Sequence, residues 1–296
     1  MIGHKSGKTS LKRKSQQTLL FLAPWILTFL IFWLYPLIFS FILSFCDYDI
    51  FHPETMRFSG FQNYFRLFSD ERFVQGFKNT VFFVFGTTPV ITMLSLCLAL
   101  LLNNIKIGLG FFRSAFFLPS IISIIVVSTI FKFFYSPDGS LNSLMSFFGI
   151  TSHAWLVETK FAMPAIMAMN IWASIGYYMV LFLAALKAIP VQLYESADVD
   201  GAGELQKFRY ITLPMIKPMI LFVVVINTIR SWQVFPEVFT LTRGGPLGTT
   251  DTIVHRLYET AFRFHEMGYS SAMAYLLFAI ILGFSLLQMK LLETQK

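Results

Sequence analysis

The chain has 296 residues, of which 55% are hydrophobic and only 13% charged. That balance excludes an ordinary soluble domain, in which about a quarter of residues are charged. A net charge of +7 would point to nucleic acid in a soluble protein. In a chain this apolar, Lys and Arg instead collect on the cytoplasmic side of a membrane, so no nucleic-acid partner is expected.

Six runs are long and apolar enough to cross a bilayer core: about 19–45, 77–102, 114–135, 161–186, 219–241 and 269–292. They predict an all-α polytopic membrane protein with six transmembrane helices spanning 19–292. An even number of crossings puts both termini on one side, and the basic tail 1–18 (Lys5, Lys8, Lys12, Arg13, Lys14) makes that side the cytoplasm. The first run is too long for a signal-peptide core and lacks a small-residue cleavage site, so it is expected to stay in the membrane. Within the tail, Gly3-His4-Lys5-Ser6-Gly7-Lys8-Thr9 echoes a phosphate-binding loop. It is one residue short between its glycines and follows no strand, so it is not read as one.

Between the first two runs, Phe58, Phe61, Tyr64 and Phe68 read as an interfacial helix at the outer headgroups. Thr87-Thr88-Pro89 predicts a kink in the second span. The third span ends in the turn signal Ser136-Pro137-Asp138-Gly139, followed by a short surface helix carrying Leu141, Leu144, Met145 and Phe148.

The fourth span carries Asn170, Trp172, Ser174 and Tyr177 in an otherwise apolar run. Asn170, Ser174 and Tyr177 recur at helical spacing on one narrow face. Polar groups at this depth either bond neighbouring helices or line a solute path.

A polar stretch of about thirty residues follows, which no bilayer core accepts. Pro190 opens a helix, Asp200-Gly201 signals a turn, and Leu205, Phe208 and Ile211 predict a second short helix stopped by Pro214. The segment 190–213 is therefore a helix-turn-helix at the membrane surface.

The fifth span is the most polar, with Asn227, Arg230, Ser231, Trp232, Gln233 and Glu237. Arg230 facing lipid would be costly, so a watery cavity or a carboxylate must receive it. Pro236 breaks the helix where the polar cluster ends. A Trp beside planar amides and a guanidinium suits a carbohydrate, whose C–H face stacks on the ring while its hydroxyls pair with the polar groups.

Glu195-Ser196-Ala197, Gly201 and Ile211-Thr212-Leu213-Pro214 resemble the EAA loop of ABC-importer permeases. The form Asp200-Gly201-Ala202-Gly203 resembles the carbohydrate-importing, maltose-type branch, as do the Gly244-Gly245-Pro246 loop and Gly268-Tyr269-Ser270-Ser271-Ala272 before the last span. Ser196 stands where the family has Ala. The resemblance implies that 190–213 is a cytoplasmic coupling helix-turn-helix docked in an ATPase subunit. Glu195, Ser196, Ala197, Asp200, Gly201, Ala202, Phe208 and Pro214 would form that contact, with Glu195 meeting a basic group, Gly201 making the turn and Phe208 acting as an apolar plug. It further implies that Asn170, Trp172, Ser174 and Tyr177 of span four touch the solute, to which the chemistry of Asn227, Arg230, Ser231, Trp232, Gln233 and Glu237 adds span five. The implied partners are a second homologous permease, two cytoplasmic ATPase subunits, an extracytoplasmic solute-binding protein and a sugar-like solute, all at a bacterial inner membrane. No cofactor is expected on this chain, since ATP and Mg would sit in the ATPase subunits.

The five histidines fall in tails and loops without an i,i+4 pair, and Cys46 and Cys97 are the only cysteines. Neither a metal site nor a disulfide framework is expected. No nucleophile–base constellation is legible, so the chain is not read as an enzyme. The rival reading is a self-sufficient ion-coupled transporter or channel, with Arg230 and Glu237 as its ion-linked pair.

Overall fold

The computed structural model describes residues 21–105 and 107–293. The basic tail 1–18 and its phosphate-loop echo lie outside the described residues. Among the described residues, five helices are long and apolar enough to cross a membrane, or six if a sharply bent pair is counted as one span. The protein is thus an all-α, multi-pass membrane protein.

In chain order the helices are α1 (Phe21–Leu43), α2 (Gln62–Ser69), α3 (Glu71–Asn103), α4 (Leu109–Ile121), α5 (Ile124–Phe134), α6 (Ser140–Phe147) and α7 (Ala162–Lys187). Next come α8 (Val191–Val199), α9 (Glu204–Trp232), α10 (Pro236–Leu241), α11 (Ile253–Phe262) and α12 (Met267–Glu293). A hairpin of β1 (Cys46–Asp47) and β2 (Arg57–Phe58) pairs Cys46 with Phe58 and Asp47 with Arg57.

The chain divides into two compact units. The first runs up to Phe65 and takes in Thr260–Tyr275. There the Asn63 amide donates to the carbonyls of Ser44 (3.1 Å) and Cys46 (2.9 Å), tying the end of α1 to the start of α2. Gly268 lies so close to the Cys46 carbonyl that a Cβ would sit 2.0 Å from its oxygen. Only glycine fits that approach.

The second unit comprises Arg66–Glu259 and the chain from Leu276. Its centre is α7, whose apolar residues feed two cores. Met163, Ile166 and Met169 pack with Phe83, Val127, Val234 and Val238. Tyr178, Met179, Phe182 and Leu183 pack with Ile91, Ile216 and Val223. The polar face of α7 falls between these two clusters, so burial of its apolar ends positions its polar middle.

The structure departs from the expected spans in three places. The third span is not one helix over 114–135: α4 and α5 are bent by 94°. Pro119 removes one backbone donor near the end of α4, and Ile122 and Ser123 adopt extended ψ values of 140° and 129°. At Gly176 the α7 backbone meets that of Phe116 on α4, where a Cβ would come within 1.8 Å of the carbonyl oxygen.

Second, Pro214 does not stop a helix, since α9 runs unbroken from Glu204 to Trp232. Phe208–Thr212 widens into a π turn, with the Leu213 N–H bonding back to the Phe208 carbonyl, and Pro214 follows directly. The wider turn relieves the contact between a proline ring and the preceding carbonyls. The same device recurs at Leu30–Leu34, ahead of Pro36. Third, the fifth span does not continue to 241. It ends at Trp232 and resumes as α10 after the break at Gln233–Phe235.

Candidate functional site

Polar groups gather at the α8–α9 turn and in a cavity beside α7. Helix α8 ends in a Schellman motif. Gly201 takes φ +74°, its N–H bonds the Asp198 carbonyl (3.1 Å), and the Ala202 N–H reaches the Ala197 carbonyl (2.9 Å). Helix α9 then begins with the Gln206 side chain accepting the Gly203 N–H at 2.8 Å, which is half of a capping box.

Tyr194 and Asp198, one turn apart on α8, face α9. The Tyr194 hydroxyl lies 2.8 Å from Thr212 Oγ1, and Lys207 ion-pairs with Asp198 and, at 2.9 Å, with Glu204. Thr212 belongs to the loop motif, but the clasp it forms with Tyr194, Asp198 and Lys207 is not read from the sequence, although the i,i+4 spacing of Tyr194 and Asp198 carries the signal. With that face engaged, Glu195, Ser196, Val199, Asp200, Gly201 and Pro214 are exposed, while Ala197, Ala202 and Phe208 are half-buried. Ser196 Oγ donates back to the Gln192 carbonyl (2.8 Å), so the hydroxyl that replaces a methyl is satisfied within α8.

The cavity has a volume of about 420 Å³, within the range of small-molecule sites. It gathers Asn170, Ser174 and Tyr177 from α7 with Asn227, Arg230, Ser231, Gln233 and Glu237 from the broken fifth span. Pro119, Ser120, Ile122 and Ile124 from the break between α4 and α5 complete the wall. Irregular backbone is tolerated at membrane depth where it lines such a space. The contribution of the third span was not read from sequence, although Pro119-Ser120 and Ser123 inside an apolar run marked it.

Glu237 is 6% exposed and accepts a hydrogen bond from Asn170 Nδ2 at 2.8 Å. Ser231 Oγ accepts from Thr88 Oγ1 (3.2 Å), and Asn227 Nδ2 donates to the Thr88 carbonyl (3.3 Å). Arg230 lies exposed over the Tyr177 ring, 4.9 Å from its centroid. Arg230 and Glu237 form no ion pair with one another among the described residues.

Both tryptophans proposed for the path lie elsewhere. Trp232 is 2% exposed, packed between Phe77 and Phe284, and its indole N–H finds no partner among the described residues. Trp172 is 49% exposed and stands against Phe131, outside the cavity. Helical spacing explains both: each neighbours cavity residues in sequence but projects from another side of its helix.

The loop after α10 holds Arg243, Gly244, Leu247 and Gly248 at positive φ. Asn79 on α3 donates to the carbonyls of Gly248 and Asp251, each at 2.8 Å, and His255 Nδ1 lies 2.7 Å from Asp251 Oδ1. Leu247 is left 93% exposed at its tip. Among the described residues, no group of three His, Cys, Asp or Glu side chains is placed to hold a metal.

A bundle of spans with a polar cavity at broken helices and a clasped surface helix pair defines a membrane permease. Residues 7–293 match the binding-protein-dependent transport system inner membrane component family, and the chain belongs to it. It is 35% identical over 275 residues to the lactose transport system permease protein LacF of Rhizobium radiobacter, covering 91% of each chain. Its fold matches a crystal structure of a bacterial ABC transporter that imports the acidic polysaccharide alginate, with a TM-score of 0.86, 27% identity and coverage of 97% of this chain and 98% of that one. A second structure, the bacterial alginate ABC transporter in complex with alginate pentasaccharide-bound periplasmic protein, matches with a TM-score of 0.83 and 27% identity, covering 95% and 94%.

Proposed function

We propose that this chain is one of two permease subunits of a binding-protein-dependent ABC importer for a sugar or sugar-like solute. The observation that carries the reading is the α8–α9 pair. Its inner face is clasped by Tyr194–Thr212 and Lys207–Asp198, and its outer face exposes acidic and small apolar groups. A clasped pair moves as one body, which suits it to transmit a push.

In this reading two ATPase subunits grip the outer face of α8, with Glu195 meeting a basic group and Phe208 backing the turn. ATP and Mg belong to those subunits. Their closure tilts the spans attached to α9, and the cavity opens alternately to either side. A solute-binding protein delivers the solute from outside, while both termini of this chain stay in the cytoplasm. Asn170, Ser174, Tyr177, Asn227, Gln233 and Glu237 receive the solute. Their amides, hydroxyls and carboxylate match the alternating donors and acceptors of a sugar.

Reconstitution tests this. Proteoliposomes holding the chain with a sister permease and ATPase subunits are expected to take up sugar only with ATP and the receptor. Uptake by the chain alone, driven by an ion gradient, would instead establish the rival transporter.

A further inference from the structure

We infer that the solute carries an anionic group and that Arg230 receives it, which rests on reading the cavity as the solute path. Arg230 projects into the cavity at the break of the fifth span and is exposed there. Its guanidinium lies over the Tyr177 ring, 4.9 Å from the centroid. That ring holds the plane, leaving the N–H donors at its edge for the cavity.

No carboxylate of this chain neutralises it among the described residues. Glu237, the other charged group in the wall, is buried and engaged by the Asn170 amide. A path for neutral sugar needs only amides and hydroxyls, which Asn170, Ser174, Asn227 and Gln233 already supply. A permanent cation at this depth cannot face lipid, and here it faces the cavity, where an anionic solute group would meet it. A planar fork of donors matches a carboxylate, sulfonate or phosphate, the anionic groups that sugars carry. The cavity therefore has a charge-reading end at Arg230 and a hydroxyl-reading end at Asn170 and Glu237.

The test uses the complete importer, with sister permease, ATPase subunits and receptor, in proteoliposomes. The probes are oligogalacturonides, 6-sulfonated glucosides and sugar phosphates, each beside its neutral parent. At least one anionic probe is expected to enter at about ten times the rate of its parent, a ratio in the range of one charge-assisted contact. R230Q should remove that preference, and R230K should restore part of it. Equal or faster uptake of the neutral parents, with R230Q indifferent, would overturn the anionic inference and leave the sugar importer standing. Failure of R230Q to assemble with the sister permease would also overturn it, by assigning Arg230 to that interface. Uptake of no member of either set would remove the sugar reading itself, and this inference with it.

Discussion

The amide of Asn170 donates to the carboxylate of Glu237 across 2.8 Å, joining the middle of α7 to the first turn of α10. The bond holds the two halves of the cavity wall together across the break in the fifth span. Removing the donor leaves a buried acid short of a partner, which costs about 1–3 kcal/mol. Asn170→Ala is expected to lower the unfolding temperature of the purified complex, and Glu237→Gln, which keeps an acceptor oxygen, to lower it less. Equal melting of Asn170→Ala and wild type would show that the contact contributes nothing.

The close approach of α7 to α4 gives a sharper packing test. A methyl at Gly176 would meet the Phe116 carbonyl at 1.8 Å, a backbone contact that no rotamer relieves. Gly176→Ala is expected to lose at least the roughly 1–3 kcal/mol typical of overpacking. The matched change Gly283→Ala, on α12 with open space around it, should be neutral or gain up to about 1 kcal/mol from helix propensity. Thermal melts of the two variants in the same detergent compare them directly.

The polytopic all-α character was legible because the spans are long apolar runs, a signal that tertiary packing cannot overwrite. The helix-turn-helix was legible because Asp200-Gly201 and Pro190 are local signals. What could not be read depends on neighbours. The 94° bend at Ile122–Ser123 is marked in the sequence only by Pro119-Ser120 and Ser123, and α7 passes close to α4 nearby, at Gly176 and Phe116. Pro214 has the usual look of a helix stop, yet the π turn before it lets α9 continue. In the cavity, Asn170, Ser174 and Tyr177 were found together because helical period places them on one face. Sequence proximity groups Trp172 with them, and the stacking face a sugar prefers groups Trp232, but the helices turn both rings out of the cavity.

Trp232 is accordingly expected to act through packing. It is buried between Phe77 and Phe284, and truncating a buried tryptophan costs about 3–5 kcal/mol. Trp232→Ala should reduce the amount of folded complex recovered from membranes, while the surviving complex keeps the wild-type solute affinity. A variant with normal yield and a raised KM for uptake would return Trp232 to the solute path.

The turn between α8 and α9 separates coupling from folding. Gly201 holds φ +74° with nothing within 4 Å of where a Cβ would be, so substitution there acts on the backbone rather than through a clash. A β-branched residue is disfavoured in this left-handed conformation by about 1–2 kcal/mol or more, whereas Asn visits it readily. Gly201→Val is therefore expected to abolish transport with the protein still present in the membrane, and Gly201→Asn to retain much of it. The Tyr194–Thr212 bond provides a second handle: Tyr194→Phe loosens the clasp by about 0.5–1.5 kcal/mol without touching the outer face. It should leave ATP hydrolysis running while lowering the solute moved per ATP. If Gly201→Val imports solute at the wild-type rate, the turn is not what the ATPase grips. If Tyr194→Phe leaves the transport-to-hydrolysis ratio unchanged, the two helices need no clasp to move together.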